Sequence, residues 1–240
     1  YGDSSLPRKH LPAKEITSLP DYRGRYAQYR EDADLQELHR LHPFIVVWDD
    51  HEIANNSWRE GAQNHQPEKE GVFTERKQAA LQAYFEWLPI RQFNDTIYRR
   101  FDFGQLATLW MLDGRQYRDK QPALGDSTVR FEHSRTLLGT RQFDWLVQGL
   151  RNSKAAWNIL GNDVMMSSVD YGKLLPEGTD FFLDMWDGYP AERNRLMEAM
   201  KSSGRQNFIV VTGDIHSSWG FELTADARSE TYRHSSSTQS

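Results

Sequence analysis

Four short apolar runs, each ending abruptly in a cluster of hydrophilic side chains, constrain this chain more than any other feature. "FIVVW" runs into Asp49-Asp50-His51-Glu52, and "TLWML" into Asp113-Gly114-Arg115. "WNIL" runs into Gly161-Asn162-Asp163, and "FIVVT" into Gly213-Asp214-Ile215-His216. Such runs are too short for helices and lack the alternation of a half-exposed strand, so they read as strands buried on both faces. Helical patterns separate them. "DADLQELHRLHP" spaces Leu35, Leu38 and Leu41 helically, with Asp34 and Glu37 as a capping box. "ERKQAALQAYFEWL" is stopped by Pro89, and "TRQFDWLVQGLRNS" puts Phe143, Leu146, Val147 and Leu150 on one face. "PAERNRLMEAMKSSG" starts at Pro190 and stops at Gly204. Buried strands alternating with helices predict an α/β sheet with helices on both faces. In such sheets ligands sit beyond the carboxyl ends of the strands, so a mainly parallel sheet delivers all four clusters to one edge.

The remaining segments read more simply. The first twenty residues, with three prolines, are expected to be extended. "IYRRFDFGQLATLWMLD" reads as two strands joined at Gly104, and "SSWGFEL" as an alternating strand. Loops are expected from about Asn55 to Gly71 and from Val164 to Asp187, and the tail "RHSSSTQS" should fray.

Composition excludes several classes. The 240 residues suit one domain, and a net charge of −5 gives no basic footprint for nucleic acid. No apolar run approaches the ~20 residues that span a bilayer. There is no cysteine, which rules out disulfides and thiolate metal sites. A metal would therefore be held by oxygen and imidazole donors, which favours hard cations.

Asp214 and His216 lie two apart just past a strand, a natural half-site for a divalent or trivalent cation. Asp50 and Asn55 are further candidate ligands, and Gly213 is expected to let the backbone turn tightly. Each residue also has a plainer use. Asp49 or Asp50 could cap a turn, while Asn55, Asn56 and Asn162 could be turn residues. Arg115 and Arg118 could be loop surface charges. His10, His39, His42, His65, His133 and His234 lie in helix-surface or loop contexts and are not expected as ligands. Convergence of four strand ends favours function over these uses. A cluster of this kind suits phosphate-ester hydrolysis, in which two cations about 3.5–4 Å apart hold an activated water and the phosphoryl oxygens. Arg115 would neutralise charge on the phosphoryl group, and His51 would protonate the leaving alkoxide.

"RYAQYREDADLQELHRLHPFIVVWDDHEIANNSW", "MLDGRQYRD", "QFDWLVQGL", "WNILGND", "WDGYPAERNRLM" and "VVTGDIHSSWGFEL" occur in an order that resembles the PhoD-type alkaline phosphatase/phospholipase D family, from about Asp21 to Leu223. That family belongs to the calcineurin-like metallophosphoesterases. The resemblance implies an α/β fold, a two-sheet β-sandwich flanked by helices, as a single domain spanning residues 1–240 and partial at both ends. It implies hydrolysis of phosphomonoesters, with phosphodiesters as further substrates. Asp50, Asn162, Asp214 and His216 then occupy metal-ligand positions, and His51 stands near the leaving group. Arg118 and Trp186 are the expected substrate contacts. Ca2+ with Fe3+ is the implied metal pair, with Mn2+ or Mg2+ as alternatives. The implied protein is a monomer of the periplasm or cell exterior, although these residues carry no signal peptide.

The sequence departs from the family pattern in places. The family's upstream strand, with a metal-bridging Asp, is not among these residues. Gly114 stands where Thr is usual, and Asp163 where Gln is common. A non-catalytic fragment or pseudo-enzyme is the alternative these departures raise.

Overall fold

The computed structural model describes residues 9–91, 96–123, 128–169 and 182–224, and the backbone of 231–235. Two compact units divide the chain, Tyr1–Ile97 and Tyr98–Ser240.

The first unit is helical. Helices α1 (Leu19–Arg30), α2 (Ala33–Leu41), α3 (Pro67–Glu70) and α4 (Phe73–Trp87) follow one another, and α1 packs on α4. The Ala, Gln and Glu content of α4 favours helix. One side of it buries Phe73, Ala80, Leu81 and Tyr84 with Tyr22 of α1 and with Trp48. Tyr22 is fixed at its polar tip as well. Its hydroxyl donates to the Ile53 carbonyl at 2.6 Å and accepts from Arg76 Nε at 3.1 Å. The cap of α2 is Asp32, whose side chain accepts from the Leu35 N–H, and not the expected Asp34. Helix α1 begins at Leu19, inside the stretch read as extended.

"FIVVW" does not form the expected buried strand. Residues 43–49 take no strand pairing among the described residues, and Phe44 and Ile45 are exposed. Trp48 alone is fully buried, tilted against Tyr84 with ring centroids 5.7 Å apart. Apolar content called for burial, but it does not by itself decide whether a run is paired as a strand.

The second unit is α/β. Strands β1 (Arg99–Phe103), β2 (Ala107–Met111), β3 (Trp157–Gly161) and β4 (Phe208–Val211) form a mixed sheet in that order. β1 pairs antiparallel to β2 through a turn at Gly104, whose φ is +57°, as read from the sequence. β2, β3 and β4 are parallel, joined through helices α5 (Gly139–Asn152) and α6 (Pro190–Ser202). Parallel neighbours require such crossovers. Strands β5 (Ser218–Glu222) and β6 (Thr231–Ser235) form a separate antiparallel ribbon. Backbone pairing therefore reaches Ser235, three residues into the tail expected to fray, while residues 236–240 lie outside the described residues. Half of the loop read from Val164 to Asp187, residues 170–181, also lies outside them.

The core of this unit gathers Trp110, Leu112, Leu146, Leu150, Leu160 and Leu196, all essentially inaccessible. β4 is less buried than its sequence suggests. Phe208 and Val210 pack on the core, whereas Ile209 and Val211 face outward and are exposed. Glu192 of α6 reaches the start of α5, accepting from Thr136 Oγ1 at 2.8 Å and from the backbone N–H groups of Leu137 and Leu138. No described helix is long and apolar enough to cross a membrane.

Helix α5 lies unusually close to the sheet at Gly149. A Cβ there would come within 2.4 Å of the Trp110 ring, which is pinned by its Nε1 donating to Asn158 Oδ1 at 3.1 Å. Gly149→Ala is expected to lower stability by about 1–3 kcal/mol through overpacking. A urea titration followed by tryptophan fluorescence checks this, and an unchanged midpoint would contradict it.

Candidate active site

In the second unit the parallel register does the positioning. Met111, Gly161 and Val211 are aligned across β2, β3 and β4. The ladder then continues past the strand ends. The Leu112 N–H donates to the Gly161 carbonyl at 2.8 Å, Asn162 to Val211 at 2.9 Å, and Gly213 to Asp163 at 3.1 Å. Three of the four expected clusters therefore emerge side by side, as the strand-end rule requires.

The loop after β2 is built around Asp113, which is fully buried. One carboxylate oxygen accepts from the backbone N–H groups of Arg115 and Gln116, at 3.1 and 2.9 Å, and the other from Gln116 Nε2 at 2.7 Å. Gln142 of α5 clamps the same residue from behind, accepting from its N–H and donating to its carbonyl.

Arg115 and Arg118 are wholly buried, so neither is a loop surface charge. Both are held by Asp184. Its carboxylate accepts from Arg115 Nη1 at 2.7 Å and from Arg118 Nη2 at 2.5 Å, and its carbonyl from Arg118 Nη1 at 2.7 Å. Two further carboxylates lie close to Arg115: Asp163 is 3.9 Å from Nε and Asp214 is 3.8 Å from Nη2. Burial alone would raise the Asp184 carboxyl. The charges of Arg118 and Arg115 overcome it and hold the group below the ordinary carboxylate range. Trp186 is also completely buried, packed in the core cluster. Arg115, Arg118 and Trp186 are thus all fully buried in this structure.

Asn162 is buried. Its amide nitrogen donates to the Val164 carbonyl, and its side-chain oxygen accepts no hydrogen bond among the described residues. Asp214 is partly exposed and occupies the centre of a γ-turn, with the Ile215 N–H donating to the Gly213 carbonyl at 2.8 Å. Its φ is +67° and that of the exposed His216 is +56°. The tight turn expected at Gly213 is therefore made by the two candidate ligands themselves. Non-glycine residues in this region cost on the order of 1–3 kcal/mol and collect at functional sites.

In the first unit, the buried Trp48 anchors a single 3₁₀ turn, Asp50–Glu52. Glu52 accepts from the Asp49 N–H at 2.6 Å, so Asp49 and Glu52 shape the turn. Burial pushes the Glu52 carboxyl up to about 7. Asp50 is buried; Oδ2 accepts from the Asn56 N–H at 2.7 Å, and Oδ1 accepts no hydrogen bond among the described residues. His51 is half exposed, with Nε2 3.7 Å from Asp50 Oδ1. It opens onto a cavity of about 530 Å³ lined also by Tyr26, Tyr29, Arg25 and Ile53. Asn55 donates through Nδ2 to Gln63 Oε1 at 2.5 Å, so its amide is part of the loop's own fabric.

Asp50 in the first unit, and separately Asn162 in the second, presents a buried oxygen that accepts no hydrogen bond among the described residues, the kind of group a hard cation satisfies.

The model of the PhoD-like phosphatase family matches residues 1–238. The chain belongs to the PhoD-like phosphatase family. Alkaline phosphatase D of Bacillus subtilis (strain 168) is 40% identical over 232 residues, covering 91% of this chain and 38% of that protein. A solved structure described as "Structure of PhoD" matches with a TM-score of 0.80 and 38% identity, over 90% of this chain and 43% of that one. The chain thus spans well under half the length of these relatives.

Asp113, Gln142, Asp163 and Asp184 shape the site without having been assigned roles from sequence. Asp163 and Asp113 stood in the strand-end clusters, and Gln142 was legible as a polar residue one position from the apolar stripe of α5. Asp184 carried no such signal, because loop geometry alone brings it to the arginines.

The Asp184 assembly makes a pH-dependent prediction. A carboxyl depressed in the folded state contributes stability that is present above its unfolded value and lost as pH falls through its folded value. Asp184→Asn is expected to cost about 3–5 kcal/mol at pH 7, because it removes the carboxylate charge that both buried guanidinium groups share. That difference from wild type should shrink as pH falls below the ordinary carboxylate range, where Asp184 itself becomes protonated. Urea unfolding at pH 7 and at steps down to strongly acidic pH measures both arms.

Proposed function

We propose that this chain carries the active site of a phosphoesterase hydrolase that cleaves phosphomonoesters and, at the same centre, phosphodiesters. The observation that carries the reading is the alignment of three strand-end loops, which presents Asn162 and Asp214 together beside a buried Arg115–Asp163–Asp184 cluster. Membership of a phosphatase family supports it. On this reading Asp50, Asn162, Asp214 and His216 hold the metal ions, with Asn55 as a weaker donor. Hard cations suit the oxygen-rich set, with Ca2+ and Fe3+ as the pair and Mn2+ or Mg2+ as alternatives. The four-stranded sheet and the β5–β6 ribbon are, on the same reading, parts of the two-sheet sandwich of the metallophosphoesterases.

A bound cation supplies a Lewis acid for the phosphoryl oxygens and lowers the pKa of a coordinated water. The protein's own groups do the rest. His51, half exposed at the mouth of its cavity, donates a proton to the leaving alkoxide, whose organic group enters that cavity. Arg115 does not reach the substrate. It acts through Asp214, whose carboxylate it faces from the interior. The substrate is a small phosphate ester, and action outside the cytoplasm by a monomer belongs to the same proposal.

Turnover of p-nitrophenyl phosphate and bis-p-nitrophenyl phosphate by the full-length protein, with Ca2+, Fe3+ and EDTA arms, tests it. Metal-dependent hydrolysis of the monoester is expected, abolished by EDTA. His51→Ala should lower kcat by roughly 10²–10⁴-fold. Asp214→Ala should remove metal-dependent activity. Full activity in either variant, or turnover indifferent to EDTA, would sink the reading.

A further inference from the structure

The cavity beside His51 is lined entirely by residues of the first unit. Tyr26 and Tyr29 of α1 and His10 from the preceding segment give it flat ring surfaces, and Ile16 and Ile53 add apolar ones. These walls are held from behind. Tyr26 stacks on Trp87 of α4, with ring centroids 6.3 Å apart and planes inclined by 9°. The Tyr29 hydroxyl lies 3.0 Å from His10 Nδ1. A volume of about 530 Å³ is ample for a small organic molecule.

Arg25 lines the cavity on different terms from the other charged groups of its wall. Its Nε donates to the Leu11 carbonyl at 3.0 Å and its Nη2 to the Pro12 carbonyl at 3.3 Å. Both acceptors are neutral, and no carboxylate pairs with Arg25 among the described residues. The remaining edge of the guanidinium, Nη1, is the one left to a ligand. Arg76, by contrast, pairs with Glu15 at 2.9 Å and with Glu70 at 3.1 Å, and Glu52 accepts from the Asp49 N–H at 2.6 Å. The two carbonyls fix the direction of the Arg25 guanidinium before any ligand arrives, which lowers the cost of binding one. Partial burial makes its charge harder to hold, and an anionic ligand would offset that cost.

We propose that this cavity is the subsite for the organic group of the ester, and that Arg25 selects alcohols carrying a second anionic group, a carboxylate or a further phosphate, on a flat or apolar body. The rings of Tyr26, Tyr29 and His10 pack against the body, and Arg25 donates a charge-assisted hydrogen bond to the anion. Arg25 determines specificity and takes no part in breaking the phosphate ester. This rests on the reading, given above, that His51 protonates a leaving alkoxide whose organic group enters the cavity.

The test compares kcat/KM of the full-length protein for p-carboxyphenyl phosphate, hydroquinone bisphosphate and the neutral p-carbamoylphenyl phosphate, in wild type, Arg25→Met and Arg25→Lys. Wild type should prefer at least one of the charged esters to the neutral one by roughly tenfold. The better of the two shows whether a carboxylate or a phosphate is the group recognised. Arg25→Met should abolish the preference, and Arg25→Lys, which keeps the charge, should restore part of it. A ratio taken within each protein cancels any general loss of activity. If Arg25→Met does not fold, the wild-type ratio still decides, together with inhibition by p-hydroxybenzoate, which should exceed that by p-hydroxybenzamide. Equal use of charged and neutral esters by a wild type that turns over p-nitrophenyl phosphate, or a preference that survives in Arg25→Met, would overturn the proposal while leaving the phosphoesterase reading in place. No turnover of any ester by wild type would overturn both.

Discussion

Everything at the candidate site of the second unit hangs on a backbone hydrogen-bond ladder. β2, β3 and β4 pair in parallel with Met111, Gly161 and Val211 in line, and the pairing runs on for one or two residues past each strand. A parallel register leaves little freedom, because a slip of one residue would turn every side chain to the opposite face. Asp113, Asp163 and Gly213 are each two residues beyond an aligned position, so they emerge at one height along the sheet. Close packing behind the ladder fixes it further. Gly149 of α5 sits against Trp110, and Gly161 admits the Met111 side chain into the space its own Cβ would occupy.

What the ladder delivers is a buried group of charges that would be unstable if assembled piecemeal. Two guanidinium groups with no solvent exposure need partners at close range. Asp184 gives each a hydrogen bond, and Asp163 and Asp214 flank Arg115. The arginines therefore organise carboxylates instead of waiting for an anion. Arginine in a strand-end loop of a phosphatase-like sequence invites assignment to the phosphate, and burial is what separates the two uses.

The sequence carried the α/β layout well. The hairpin at Gly104, helices α4, α5 and α6, and strands β2, β3 and β4 all follow from periodicity, proline stops and glycine turns. "FIVVW" differs from its reading because residues 43–49 take no strand pairing among the described residues and Phe44 and Ile45 are exposed, outcomes that apolar content alone does not decide. The complete burial of Arg118 and Trp186 was not legible either, because packing that comes from distant parts of the chain decides it. Asp184 lies 66 residues from Arg118 in sequence, and no local pattern announces a contact of that kind. Two departures from the family pattern, Gly114 and Asp163, looked independent in the sequence. In the structure they are one feature, since the carboxylate of Asp163 fills the space that a side chain at 114 would need.

The backbone at Asp214 completes the physical picture. A carboxylate at the centre of a γ-turn with φ near +67° is held in a conformation that an isolated chain would rarely visit. The surrounding structure must supply the difference, and it does so through the Gly213 N–H bond to Asp163 on one side and the β5 strand that starts at Ser218 on the other. Strain of this order is tolerable when a ligand must point in a fixed direction before its ion arrives, because the ordering cost is met in folding and not in binding. On the phosphoesterase reading, the same turn aims both Asp214 and His216, which explains why the second left-handed residue lies only two positions further on. A flexible glycine-based turn would have been cheaper to fold and would have left both donors to find their direction by chance.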